Sequence, residues 1–276
     1  PTDVTFSSIQ GGSFSINSQQ SYTGETFING GTLTLDGANA GLGDGNNYVG
    51  NPELKPEESL QFELGFDWDF GNWYFSPRLY HRKVDDYIQG VPATNMAVIG
   101  VSANANGDPT PLMFANTEAT FRGIDLTYGF EINSNWLVEG MASRIRGERD
   151  DINDNLYRVA PGSIRASLIY QGNDITARLE QVHVFEQDDL SATNTLDPLN
   201  VNNSFVPTDS YSLTNLFVNW FVNADLSVTA GVENLFDEGY VDHVTGFNRV
   251  IGSVVPRGSR LFGHGRNVFA RLQYLW

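Results

Sequence analysis

Apolar side chains recur at every second residue along most of this chain. In SLQFELGFDWDF, residues 59–70, Leu60, Phe62, Leu64, Phe66, Trp68 and Phe70 alternate with Ser59, Gln61, Glu63, Gly65, Asp67 and Asp69. Successive strand side chains point to opposite faces, so this segment reads as a strand with one apolar and one polar face. The alternation returns at Ile124, Leu126, Tyr128, Phe130 and Ile132, and again at Ile164, Ala166, Leu168 and Tyr170. Leu216, Val218 and Trp220 repeat it, then Leu226, Val228, Ala230 and Val232, and finally Val268, Ala270, Leu272, Tyr274 and Trp276. With less regular runs at 73–86, 136–147 and 175–185, about nine strands follow residue 57, or ten with DVTFSS near the start. No stretch carries a convincing helical period.

The connections alternate as strictly as the side chains. GN at 71–72, NSN at 133–135, GND at 172–174 and NAD at 223–225 are tight turns of residues that accept positive φ. Between them lie long polar connections, roughly 87–115, 148–161, 186–209 and 239–264. All short turns therefore fall at one end of the sheet and all long loops at the other. That asymmetry belongs to antiparallel transmembrane β-barrels, whose periplasmic turns are short and extracellular loops long. The five tryptophans agree, because Trp68, Trp73, Trp136, Trp220 and Trp276 all map to the short-turn end. An indole has an apolar body and one N–H, which suits the membrane interface. The polar faces carry Glu63, Asp67, Asp69, Asp125, Glu131, Arg165 and Arg271, a set that a wide wet lumen accommodates better than a narrow one.

Composition narrows the function classes. The chain has 276 residues and a net charge of -17, and Lys55 and Lys83 are its only lysines. Nucleic-acid binding depends on basic side chains meeting phosphates, so no nucleic-acid partner is expected. Zero cysteines excludes disulfides and thiolate chemistry. No run of about 20 apolar residues is present to form a membrane-spanning helix. The opening PTDVTFSSIQ is not a signal peptide, which leads to the expectation of a mature product or an internal piece.

Four segments resemble one family. GNPELKPEESLQFELGFDW (50–68) resembles the end of a long extracellular loop and the following strand in TonB-dependent outer-membrane receptors. NTEATFRGIDLTYGF (116–130) is similar to another strand entry of that family, AGVENLFDEGYVDH (230–243) to its penultimate strand, and GRNVFARLQYLW (265–276) to its terminal strand. The resemblance implies a barrel of about 22 strands filled by an N-terminal plug, located in the outer membrane of a Gram-negative bacterium. Residues 1–57 are then expected to hold one strand and a long extracellular loop, and 58–276 barrel strands, as the C-terminal portion of such a barrel. The plug is expected to lie outside this chain, in the same precursor or in another chain. The implied partners are that remainder of the receptor, the TonB–ExbB–ExbD complex acting through the plug, lipopolysaccharide and lipid. The barrel assembly machinery is a further partner, reading Val268, Ala270, Leu272, Tyr274 and Trp276. The implied activity is energised uptake of a metal chelate, a ferric siderophore first and copper or another metal complex next. A passive porin or structural barrel component and a soluble β-sandwich adhesion or lectin module are the alternatives.

Individual residues point less sharply. Tyr48 and Tyr87 stand near loop ends, where rings stack on a planar chelate or anchor at the membrane interface. Met96 and Met113 share one loop, and thioethers suit soft Cu(I) as well as simple packing. His81 and His183 sit toward the loop ends of strands, and His243 and His264 share the last long loop without a metal-ligand spacing. Arg257, Arg260 and Arg266 gather there too, suited to phosphate or to neighbouring acids. GLGDGNN (41–47) and RDDIND (149–154) offer oxygen ligands for a hard cation, or solvated acidity. No nucleophile elbow or phosphate-cradling glycine motif is present, so neither an enzyme nor a cofactor is expected.

Overall fold

The computed structural model describes residues 47–106, 109–192, 206–248, 250, 252–256 and 259–276, and the backbone of four short strands before residue 36. Nine strands form one antiparallel meander in chain order. They are β1 (Glu58–Gly65), β2 (Trp73–Pro92), β3 (Leu112–Asn133), β4 (Trp136–Arg149) and β5 (Ser163–Gln171). After them come β6 (Ile175–Val184), β7 (Tyr211–Phe221), β8 (Leu226–Glu233) and β9 (Asn267–Tyr274). Each strand pairs with its sequence neighbour, and β1 and β9 stand at the two free edges. The strand expected at DVTFSS exists as Val4–Ser7, but it pairs in parallel with Thr26–Asn29, outside the large sheet.

The turns form as their residues dictate. Gly71 adopts φ +82, the left-handed region that glycine enters without strain, and Asp69 accepts its amide hydrogen. In NSN the Asn133 side chain accepts from the amides of Asn135 and Trp136. In NAD, Asn223 does the same for Asp225 and Leu226. Such side-chain-to-backbone bonds mimic a backbone turn and fix the hairpin register.

That register sorts the two faces. Trp73, Phe130, Val138 and Leu168 are cross-strand partners in one row, which Leu179, Leu216, Val232 and Val268 continue to the far edge. This outward face is apolar and open: Phe62 is 67% exposed and Leu272 67%. The opposite face is polar and paired. Arg78 bonds Asp67 at 2.6 Å, Ser76 bonds the same carboxylate, and Asn215 donates to Glu180.

Two findings depart from the sequence reading. The β2–β3 hairpin runs much further than expected, 20 and 22 residues, against about 9–11 needed to cross a bilayer. Roughly half of it therefore stands above the membrane. Where it leaves, Asp85 and Asp86 together oppose Glu118, a bulge with Asp86 at φ 56 that bends the wall. The second departure is helix α1 (Met96–Asn106) at the hairpin tip. Asn95 caps it by accepting from the Ala97 amide. Its apolar residues form no stripe, so no helical period announces it.

Close approach explains two strand glycines. A Cβ on Gly129 would lie 2.2 Å from the Tyr74 ring, and one on Gly123 would lie 2.2 Å from Tyr80. Both tyrosines lie flat over the glycine of the neighbouring strand, covering the backbone that it leaves bare. In the whole protein, Gly129→Val is expected to destabilise the sheet by about 1–3 kcal/mol through this overlap. The midpoint of its heat-dependent gel shift should fall, and Tyr74→Ala added to Gly129→Val should recover part of the loss. Equal midpoints for Gly129→Val and wild type would show that the ring does not press on the glycine.

Candidate functional site

The long-loop end of the sheet carries two assemblies on its inner side. In the first, the segment after β4 turns back over the wall. The Leu156 amide donates to the Gly147 carbonyl at 2.9 Å, and Leu156 is buried with Val84 and Ala119. Tyr87, Phe121 and Val159 close around them, with the Tyr87 and Phe121 rings edge to face at 5.7 Å. The Arg82 guanidinium sits 6.0 Å from the Phe121 ring centre. Higher on the hairpin, Tyr48 stacks on Phe114 at 5.3 Å and covers Gly90. Met113 lies opposite Val91 in the hairpin, whereas Met96 begins α1 and is 76% exposed.

The acids of RDDIND hold this loop in shape. Asp150 accepts from Thr120, Asp151 pairs with Arg149, and Asp154 accepts from the Ser191 hydroxyl and the Ala192 amide. A cleft of about 570 Å³ remains between Glu148–Asn155 and Leu190–Ala192. The Arg149 guanidinium holds the Asp151 carboxyl below the usual carboxylate range. Among the described residues, no group of three or more His, Asp or Glu is arranged for a metal ion.

The second assembly joins the loops after β6 and β8. Thr208 is tied to Gln187 by backbone bonds in both directions, and its hydroxyl lies 3.0 Å from His243 Nδ1. Arg260 donates to the His243 carbonyl at 2.7 Å and lies over the Phe247 ring. Asn234 is buried at φ 50, donating to the Glu238 and His264 carbonyls and accepting from the Glu238 amide. Tyr211 and Tyr240 stack at 4.4 Å, and His264 meets Tyr240 edge-on at 6.3 Å.

The candidate residues therefore divide between two walls of one mouth. His243, Arg260 and His264 belong to the second assembly, with His243 buried inside it. Tyr48, Tyr87 and Met113 belong to the first. Arg257 and residues 41–46 lie outside the described residues. Sequence reasoning missed Phe121, Leu156, Thr208, Asn234 and Tyr240, whose partners are remote or carry no motif of their own. Trp68, Trp73, Trp136 and Trp220 stand beside the short turns on the outward face, Trp73 stacking on Phe70 and Trp136 lying tilted against Tyr170, and Trp276 follows β9 fully exposed.

Residues 9–235 match the family described as TonB dependent receptor-like, beta-barrel. The chain belongs to that family. TonB-dependent receptor barrels are outer-membrane proteins of Gram-negative bacteria, so the long loops face outward and the short turns face the periplasm. Over 204 residues the chain is 28% identical to the vitamin B12 transporter BtuB of Photobacterium profundum, covering 70% of this chain and 28% of that protein. Its fold is shared with the copper transporter OprC at TM-score 0.66 and 17% identity, over 80% of this chain and 32% of that one. The ferric enterobactin receptor PfeA of Pseudomonas aeruginosa, as a G324V mutant, shares it at TM-score 0.58 and 17% identity, over 82% and 32%. The TonB-dependent receptor barrel seen here thus spans about a third or less of the length of these relatives.

Burial, then the Arg260 charge, pushes the His243 pKa from an ordinary 6.5 to about 4, with Asp242 opposing and Arg158 adding to the fall. A depressed histidine pKa means that the open loop binds the extra proton. The stability that the buried neutral His243 contributes to the loop assembly is fully present above about pH 6.5 and is lost as pH falls toward 4. Amide exchange across 239–264, corrected for its intrinsic pH dependence, should rise over that window in wild type. His243→Gln should flatten the rise, and an unchanged pH profile in that variant would assign the effect to other groups.

Proposed function

We propose that the receptor containing this chain is a TonB-dependent importer of a metal chelate, with a ferric siderophore as the leading substrate class. The observation that carries this reading is the outer mouth. A hairpin that extends above the membrane and two inward-folded loop assemblies bring rings and guanidinium groups to the outer mouth, Tyr87 and Phe121 with Arg82 in the first and Tyr211 and Tyr240 with Arg260 in the second. Aromatic faces and arginines suit a planar, anionic complex, through stacking and charge-assisted hydrogen bonds. A passive pore has less use for such a walled vestibule. The family and the activities for which the relatives are named, with vitamin B12, copper and ferric enterobactin, support uptake of a metal-containing ligand as the class. The chain would supply outer wall and mouth. The plug and the TonB–ExbB–ExbD complex would supply gating and energy. The five tryptophans would anchor the periplasmic rim, and the terminal strand would present Val268 to Trp276 for assembly.

Accumulation of labelled substrate by cells carrying the whole receptor tests the reading. Uptake should stop when the proton-motive force is collapsed or the TonB complex is deleted, while surface binding persists. Uptake that continues unchanged under both treatments would establish the passive-pore alternative. A parallel panel of ferric siderophores, cobalamin and copper complexes, scored for growth under limitation of each metal, identifies the substrate.

A further inference from the structure

Above the bilayer, the inner face of β2 holds a polar side chain that the sheet leaves unsatisfied. Gln89 is 6% exposed, and its Oε1 and Nε2 are both buried without a hydrogen-bond partner among the described residues. The bulge at Asp85 and Asp86 shifts the alternation by one, so Arg82, Val84, Tyr87, Gln89 and Val91 all face inward. The surroundings explain the missing partners. Ala115 stands opposite Gln89, and the diagonal neighbours across the hairpin are Met113 and Thr117. Ala115 and Met113 have no donor to offer, and the Thr117 hydroxyl already donates to the Tyr87 carbonyl. Lower on the same face, the Arg82 Nε is likewise buried without a partner.

A carboxamide carries an acceptor oxygen and a donor NH₂ group, and burying both unmet works against folding. For folding alone an apolar side chain would suit this place better, since Val91, Ala115 and Met113 are its neighbours. Buried polar groups without partners are rare, and they concentrate where a chain gives up stability for function. Gln89 stands at such a place. It lies just above Tyr87, which meets Phe121 edge-on, and the Arg82 guanidinium lies over the same Phe121 ring. The unmet carboxamide thus extends the row of rings and guanidinium groups at the outer mouth.

We infer that Gln89 is a contact residue for the transported chelate, and that this chelate carries amide groups. A ligand N–H would donate to Oε1 while Nε2 donates to the ligand carbonyl, a reciprocal pair that a bare metal ion or a simple anion cannot make. Arg82, lower on the face, would meet the anionic part of the same ligand. The carboxamide lies under cover, so contact requires the hairpin to bend. The bulge between it and the membrane wall supplies the joint, with Asp86 at φ 56, a strained conformation for a residue other than glycine. The inference rests on the importer reading and adds a chemical feature of the substrate to it.

The test uses the whole receptor, purified in micelles, and equilibrium binding of three probes. Cyanocobalamin and ferrioxamine B carry amides, and a ferric tris-catecholate on an amide-free scaffold carries none. Wild type should bind at least one of the first two. Gln89→Leu should weaken that binding about 10-fold or more while leaving the catecholate unaffected. The midpoint of its heat-dependent gel shift should stay or rise, because no internal hydrogen bond is lost. The inference is overturned if wild type binds neither amide-bearing probe, if Gln89→Leu binds as wild type does, or if it weakens all probes equally. A lower midpoint would also overturn it, by showing that the carboxamide is satisfied within the fold. Arg82→Gln, read with the catecholate, tests the anionic substrate class separately. A catecholate that wild type does not bind, or that Arg82→Gln binds equally well, would remove that class and leave the Gln89 result standing.

Discussion

Hydrocarbon accepts no hydrogen bonds from a bare peptide edge, and every feature of this sheet answers to that fact. Nine strands pair each with its neighbour, so all the interior ladders are satisfied. Two are not. The outer edges of β1 and β9 carry unpaired backbone groups along strands whose side chains are exposed throughout. Such edges are stable in a membrane only when more strands continue the sheet around to closure. The chain spans about a third or less of its relatives, and the open arc fits that proportion.

Two chemistries share the same strands, and register keeps them apart. The outward face gains stability from lipid contact, so its leucines and phenylalanines are left exposed by the protein itself. The inward face holds charge in pairs, Arg78 with Asp67 and Arg165 near Glu180, and places rings over glycines where backbones would otherwise meet water. Above the membrane the division changes. Both faces of the β2–β3 hairpin then meet water or folded loop, and the inner one gains the apolar cluster of Val84, Ala119 and Leu156.

How much of this the sequence reveals follows from that change of solvent. Within the bilayer, one face must be apolar, so the alternation at Leu60 to Phe70 or Leu226 to Val232 is plain. The turns are equally legible, because Gly71, Asn133 and Asn223 act on their own immediate neighbours. Above the bilayer the pressure for alternation lapses, and YIQGVP and LMFANT look like loop although both are strand. Helix α1 lacks a stripe. The loop assemblies depend on bonds between residues far apart in sequence, such as Asn116 with the Lys55 backbone and Thr208 with His243. His81, Arg122 and Arg146 are a like case, becoming cross-strand neighbours only once the strands are in register.

The length of the β2–β3 hairpin has a bearing on how such a surface meets proteases. Its two strands stay hydrogen-bonded from Trp73 opposite Phe130 to Pro92 opposite Leu112, interrupted only by the bulge. The exposed tip beyond Pro92 is the natural place for a cut, and a cut there would free neither strand. Both halves would remain stitched to each other and, through β1 and β4, to the rest of the wall. A receptor nicked at its tip would therefore keep its shape on the cell and come apart only on a denaturing gel.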